Sequence, residues 1–201
     1  MTGKNAVLAG GFTEPVFGSQ SVFRQLMDGM ARPGTIQTIE TDVGQPEPLG
    51  AAAGAVALTV CDHDTPVWLS AALAKSAAGE WIGFHAGAPM TREKAEARFA
   101  FIEAGAALAS LGLFSPGTQE YPDRSTTLII EVSGFGEGQA MSLSGPGILE
   151  ARKVSIAGLP EIFPRLWADN HALFPRGVDA ILTAGRQLMC LPRTTRITTS
   201  A

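Results

Sequence analysis

The chain has 201 residues, with 15 Lys and Arg against 19 Asp and Glu and a net charge of −4, so long-range attraction to nucleic acid or to an anionic membrane is not expected. It is 45% hydrophobic and 17% charged, with 23 Gly and 13 Pro, which excludes a disordered chain and describes a folded, loop-rich one of a size for a single domain over residues 1–201. No apolar run approaches the roughly 20 residues that cross a bilayer, and MTGKNAVLAGGF lacks the pattern of a secretory signal; the cytoplasm is the expected compartment, with Cys61 and Cys190 as reduced core thiols.

In chain order, Ser19 is placed to N-cap a helix that buries Val22, Phe23, Leu26, Met27 and Met30, and ARPG ends it. A short strand is expected at Thr35–Glu40, then an Ala-rich helix over Leu49–Cys61, in which Gly54 implies a tight neighbour. CDHD and the DTP turn follow. A helix is expected from Ser70 to Ala78, a buried strand at Trp81–His85, a helix over TREKAEAR capped by Thr91, and a further helix at Glu103–Leu111. Thr126–Val132 is a strong strand, turned by Gly134–Gly138 into a hairpin partner at Ala140–Leu143. SGPGI then turns into an alternating strand at Arg152–Ile156. A helix from Pro160 to about Ala172 precedes a last strand pair, Val178–Thr183 and Gln187–Leu191, around AGR. Early helices and late hairpins point to α/β or α+β with a mixed central sheet.

Few motifs carry chemistry. CDHD offers four adjacent metal-ligating side chains, but adjacent residues rarely converge on one ion and there is no CxxC, HxxxH or HExxH, so a side chain of Asp62 or Asp64 bonding the DTP turn is the simpler reading. No GxSxG elbow is present, and Ser144 lies in the wrong context for one. His63, His85 and His171 are scattered. Of four lysines, Lys4, Lys75, Lys94 and Lys153, only Lys153 lies near the SGPG turn, and none is marked as a Schiff-base partner.

Two features remain. The amides of the turn at Ser144, Gly145 and Gly147 are able to cradle an anion. Arg32, Arg176 and Arg193 each adjoin a proline, where a guanidinium is aimed from a stiff turn. Such arginines either grip phosphate, phosphonate or carboxylate ligands, or pair with an internal acid such as Asp179 or Glu131 to hold a loop.

Taken together and in order, GGFTEPVFGSQSVFRQLMDGMARPGTI, CDHDTPVWL, YPDRSTTLIIEV, LSGPGI, FPRGVD and LPRTT resemble the PhnH family, the H subunit of the bacterial carbon–phosphorus lyase system, from about Gly11 to Thr195. The resemblance implies a three-layer α/β fold similar to the large domain of pyridoxal-phosphate (PLP)-dependent transferases, without PLP or another cofactor. It implies a homodimer that joins the G, I and J subunits and works with L, in the step where a phosphonate displaces adenine from ATP to give a ribose 1-phosphonate 5-triphosphate. It supplies no catalytic residues. It leaves Arg32, Ser144, Gly145, Gly147, Arg176, Asp179 and Arg193 as anion-binding or interface candidates. One departure is Arg98, where the family pattern suggests an acid before Phe99.

Overall fold

The computed structural model describes residues 9–199. Helix α1 (Pro15–Ala31) starts on proline in its first turn, where a missing N–H costs nothing. Ser19 therefore lies inside the helix, and its hydroxyl donates to the Pro15 carbonyl at 2.7 Å instead of capping. Strand β1 (Ile36–Thr38) leads to α2 (Ala51–Val60), six of whose residues are buried, as expected of an Ala-rich helix that is apolar all round. Strand β2 (Val67–Leu69), helix α3 (Ala71–Lys75) and helix α4 (Ala78–Ala86) follow. Then come β3 (Phe99–Ile102), β4 (Thr127–Glu131), β5 (Gly134–Ser144), β6 (Arg152–Ala157), α5 (Phe163–His171), β7 (Asp179–Ala184), β8 (Gln187–Leu191) and β9 (Arg196–Thr199).

The main sheet has the order β1-β8-β7-β4-β3-β2. Strands β2, β3, β4 and β7 are parallel; β8 runs against β7 and β1 against β8. The fold is thus α/β with a mixed six-stranded sheet. In register, Phe101, Ile129 and Ile181 align and face a core shared with α1, α2 and α4. Ala100, Leu128 and Ala180 face the other side, where the antiparallel sheet β6-β5-β9 and α5 pack. Strands buried on both faces read as unbroken apolar runs, which is why FAFI and LII carry little alternation.

Several expectations are corrected. Val22 and Leu26 are buried as expected and Met30 partly so, but Phe23 and Met27 are 52% and 54% exposed; Gly18 and Gly29 take the buried positions instead, because glycines bring that face close to the core. Trp81–His85 is not a strand. Trp81 and Ile82 are adjacent and both buried, which suits one face of α4, closed by Gly87 in the left-handed region. The expected Ser70–Ala78 helix is short, ending at Lys75, with Ser70 at its N-cap. TREKAEAR has no apolar face to bury and forms one 3₁₀ turn, Lys94–Glu96, with the Glu93 N–H donating to Thr91 Oγ1. Glu103–Leu111 is irregular apart from a 3₁₀ turn that starts at Leu111, since tertiary pairing recruits the preceding FAFI as β3. Residues 134–138 are not a turn but the start of β5. That strand leaves the main sheet and pairs with β6 and β9, with a register shift between Phe135 and Gln139.

Candidate functional site

The proline-flanked arginines have different surroundings. Arg193, after β8, is nearly enclosed. Its guanidinium makes a fork to the carboxylate of Asp179, the first residue of β7, and its backbone N–H donates to Asp179 Oδ1 at 2.7 Å. Nη1 donates to the Pro122 carbonyl at 2.6 Å and toward that of Pro175 at 3.5 Å; Nη2 donates to Ser125 Oγ at 2.6 Å. One side chain thus ties YPDRS, FPRGVD and LPRTT into a knot at the amino ends of β4 and β7. Asn170 adds a second tie, accepting from Val178 N–H at 2.8 Å and donating to its carbonyl at 2.9 Å.

ARPG and SGPGI form another junction. Gly147, at φ 82°, lies so close to the end of α1 that a Cβ there would run into the Ala31 carbonyl. A Cβ on Gly145 would meet the Thr194 carbonyl at 2.8 Å. Arg152 reaches over the same junction and donates to the Pro33 carbonyl at 2.8 Å and that of Arg32 at 3.3 Å. Ser144 ends β5 opposite Arg196 of β9. Arg32 itself is more than half exposed and pairs with Asp28 at 2.9 Å. Arg176 is half-buried, and its side chain makes no hydrogen bond or ion pair among the described residues. The candidates therefore fall into two adjoining junctions that share residues 193–194, with Arg32 and Arg176 at their rims.

His171 Nδ1 donates to the Arg193 carbonyl at 2.9 Å, and its Nε2 accepts from Arg196 Nε at 3.2 Å, a loop-holding arrangement. His63 is exposed beside Asp64. His85 stands in the last turn of α4, stacked at a tilt on Trp81 with centroids 5.0 Å apart. Asp62 bonds its own turn: Oδ1 accepts from Asp64 N–H at 3.0 Å, as a DTP turn requires. No metal-ligand cluster occurs among the described residues.

Sequence reasoning missed the carboxyl ends of the central strands, where open α/β sheets bind ligands. Here two helix starts, those of α2 and α3, are met by internal carboxylates. Glu131, at the end of β4, accepts from Gly50 N–H at the start of α2, 3.3 Å away. Burial holds its carboxyl above the usual range, with a smaller push from Glu47 opposed by the Gly50 bond. Glu103, after β3, accepts from Ser70 Oγ and from Ala72 N–H at the start of α3. These glutamates occupy the positive helix ends that an anion would otherwise use.

The outer face of α1 departs from the expected buried stripe. Val16, Phe23 and Met27, at 75%, 52% and 54% exposure, recur at helical spacing and form an apolar stripe in solvent. The signal was the width of the pattern: Val22, Phe23, Leu26, Met27 and Met30 cover more of the helix than one buried face requires. No helix among the described residues is long and apolar enough to cross a membrane.

Comparison with known proteins follows the same outline. The family model "Bacterial phosphonate metabolism protein (PhnH)" matches residues 10–198. The chain is similar to alpha-D-ribose 1-methylphosphonate 5-triphosphate synthase subunit PhnH of Rhizobium meliloti (strain 1021), with 55% identity over 197 residues and 98% of each chain covered. It also resembles HtxG of Stutzerimonas stutzeri, named as a C-P lyase subunit protein, with 38% identity over 81 residues, 40% of this chain and 42% of that one.

Proposed function

The chain belongs to the PhnH family of bacterial phosphonate metabolism proteins, and from that membership we propose that it is a subunit of ribose 1-methylphosphonate 5-triphosphate synthase. In the reaction it supports, the N-glycosidic bond of ATP breaks, adenine leaves, and a phosphonate oxygen bonds to the freed ribose carbon. The observation that carries this reading is the 55% identity to the named subunit over 98% of both chains.

The chain acts as a cytoplasmic assembly subunit without a catalytic centre of its own. It works as one domain of the kind found in the large domain of PLP-dependent transferases, a likeness supported by the mixed sheet. Its partners are the G, I and J subunits, with L acting in the same step. The site geometry supports assembly over an arginine-lined pocket: Arg193 spends its donors on internal carbonyls, Ser125 and Asp179. The α1 stripe supports a homodimer, since two such stripes bury each other. Lys153 is exposed on β6, where nothing desolvates it for Schiff-base chemistry, which supports a role without PLP.

The test is adenine release from ATP and methylphosphonate by purified G, I and L subunits, with and without this chain, beside the chain alone. Release that requires the chain, with none from the chain alone, is the expected result. Turnover of ATP by the isolated chain, or release that ignores it, rejects the reading.

A further inference from the structure

The small sheet ends in two edge strands, β9, which packs against α5, and β6. In the order β6-β5-β9, β6 pairs with β5 from Leu143↔Arg152 to Gly134↔Ala157. No other described helix or strand pairs with its outer side. Such an edge presents a row of unpaired N–H and C=O groups, and proteins usually blunt it with proline, a bulge, a charge or a covering element. β6 contains no proline; the register shift lies in β5, and its exposed charge is Lys153.

The surroundings of the edge are built for side chains as well as backbone. A groove of about 390 Å³ runs beside Ile148–Lys153 at its start. A second, of about 590 Å³, opens at the bulge where β5 meets the end of β6, between Gly138 and Gln139 on one strand and Ile156 and Ala157 on the other. Leu149, in the first groove, is 100% exposed, so its apolar surface gains nothing within the described residues. Lys153 makes no ion pair among those residues. Glu150 lines the first groove and Glu161 the second, while the basic residues, Arg152 and Lys153, lie on the strand itself.

We infer that the free edge of β6 docks an extended segment of another subunit, which adds to the small sheet as a fourth strand. Main-chain hydrogen bonds supply the attachment, and the flanking grooves select side chains, as in strand-addition recognition generally. An acidic residue of the segment faces Lys153, and an apolar one covers Leu149. The inference rests on the reading of the chain as a complex subunit.

The test uses the full chain with purified G, I and J subunits. Amide hydrogen exchange is followed across Lys153–Ala157 with and without the partners. Amides of the outer edge are expected to slow by about tenfold or more in the complex. Lys153→Glu and Leu149→Asp are each expected to weaken assembly by about tenfold or more, with melting temperature unchanged because both side chains are exposed. A complex that forms normally with β6 unprotected, or with both variants assembling like the parent, overturns the edge inference and leaves the subunit reading intact. Protection of β6 that rises with concentration of the isolated chain shows a second copy there and also overturns it. Failure of the parent chain to join G, I and J rejects the subunit reading and the edge inference with it.

Discussion

Arg193 and Asp179 meet twice, once through the guanidinium fork and once through the Arg193 backbone N–H at 2.7 Å from Asp179 Oδ1. The side chains are 12% and 20% exposed, so the pair is largely shielded from water. Its remaining donors hold the carbonyl of Pro122 and the hydroxyl of Ser125. Arg193→Ala should cost about 3–5 kcal/mol, because it leaves a shielded carboxylate without its partner. Arg193→Lys should recover part of that loss but not the fork. Urea unfolding of both, together with Asp179→Ala and the double variant, measures the coupling; additive losses would mean that the two residues act independently.

Gly147 and Gly87 separate backbone strain from close approach. Both have positive φ, 82° and 73°. A Cβ at Gly87 meets nothing within 4 Å, whereas one at Gly147 collides with the Ala31 carbonyl. Gly87→Ala should cost about 1–2 kcal/mol. Gly147→Ala should cost on the order of 3 kcal/mol or more, since the junction of ARPG and SGPG must open. Thermal melts of the two variants give the comparison.

Glu131 gives a pH signature. Its folded-state pKa is raised, first by burial and then by Glu47, above the ordinary value of 4.5. A raised carboxyl favours folding while protonated, so its contribution is present at low pH and is lost as pH rises through 4.5 and the folded value. Glu131→Gln keeps an acceptor for Gly50 N–H and removes the charge. The variant should gain stability relative to the parent as pH rises from 4 toward 7; urea midpoints across that range show whether the difference widens.

Both cysteines should be inert in the folded chain. Burial, with a smaller contribution from the Asp179 charge, pushes Cys190 up to about 12, and burial together with Asp62 pushes Cys61 up as well. A thiol held in that state supplies almost no thiolate. An aromatic disulfide reagent at pH 8 should report no fast-reacting thiol before unfolding and two after it.

Met27→Asp tests the α1 stripe. Met27 is 54% exposed, so the substitution should leave the melting temperature of the isolated chain unchanged within about 0.5 kcal/mol equivalent. In a two-fold dimer it should place like charges in an apolar contact, and sedimentation should show a shift to monomer. An unchanged sedimentation profile in a dimeric parent would place the interface elsewhere.

Elements with local signals are legible in the chain alone. ARPG marks the end of α1 and SGPG the turn at 145–147, the alanines make α2, TTLIIEV makes β4, and Asp62 holds the DTP turn. The ordered motifs also led to the family, because their arrangement along the chain survives without knowledge of where they meet. Features that depend on neighbours are set by packing and long-range pairing. FAFI and VWL become strands because β4 and β3 offer them a ladder, while WIGFH becomes helix because Trp81 and Ile82 share a buried face. The width of the apolar pattern on α1 does not say that Phe23 faces water and Gly18 the core, and nothing local shows that a carbonyl at residue 122 waits for a guanidinium at 193. Short-range propensity is weak beside packing and long-range pairing, so the turns could be read from residues while their targets could not.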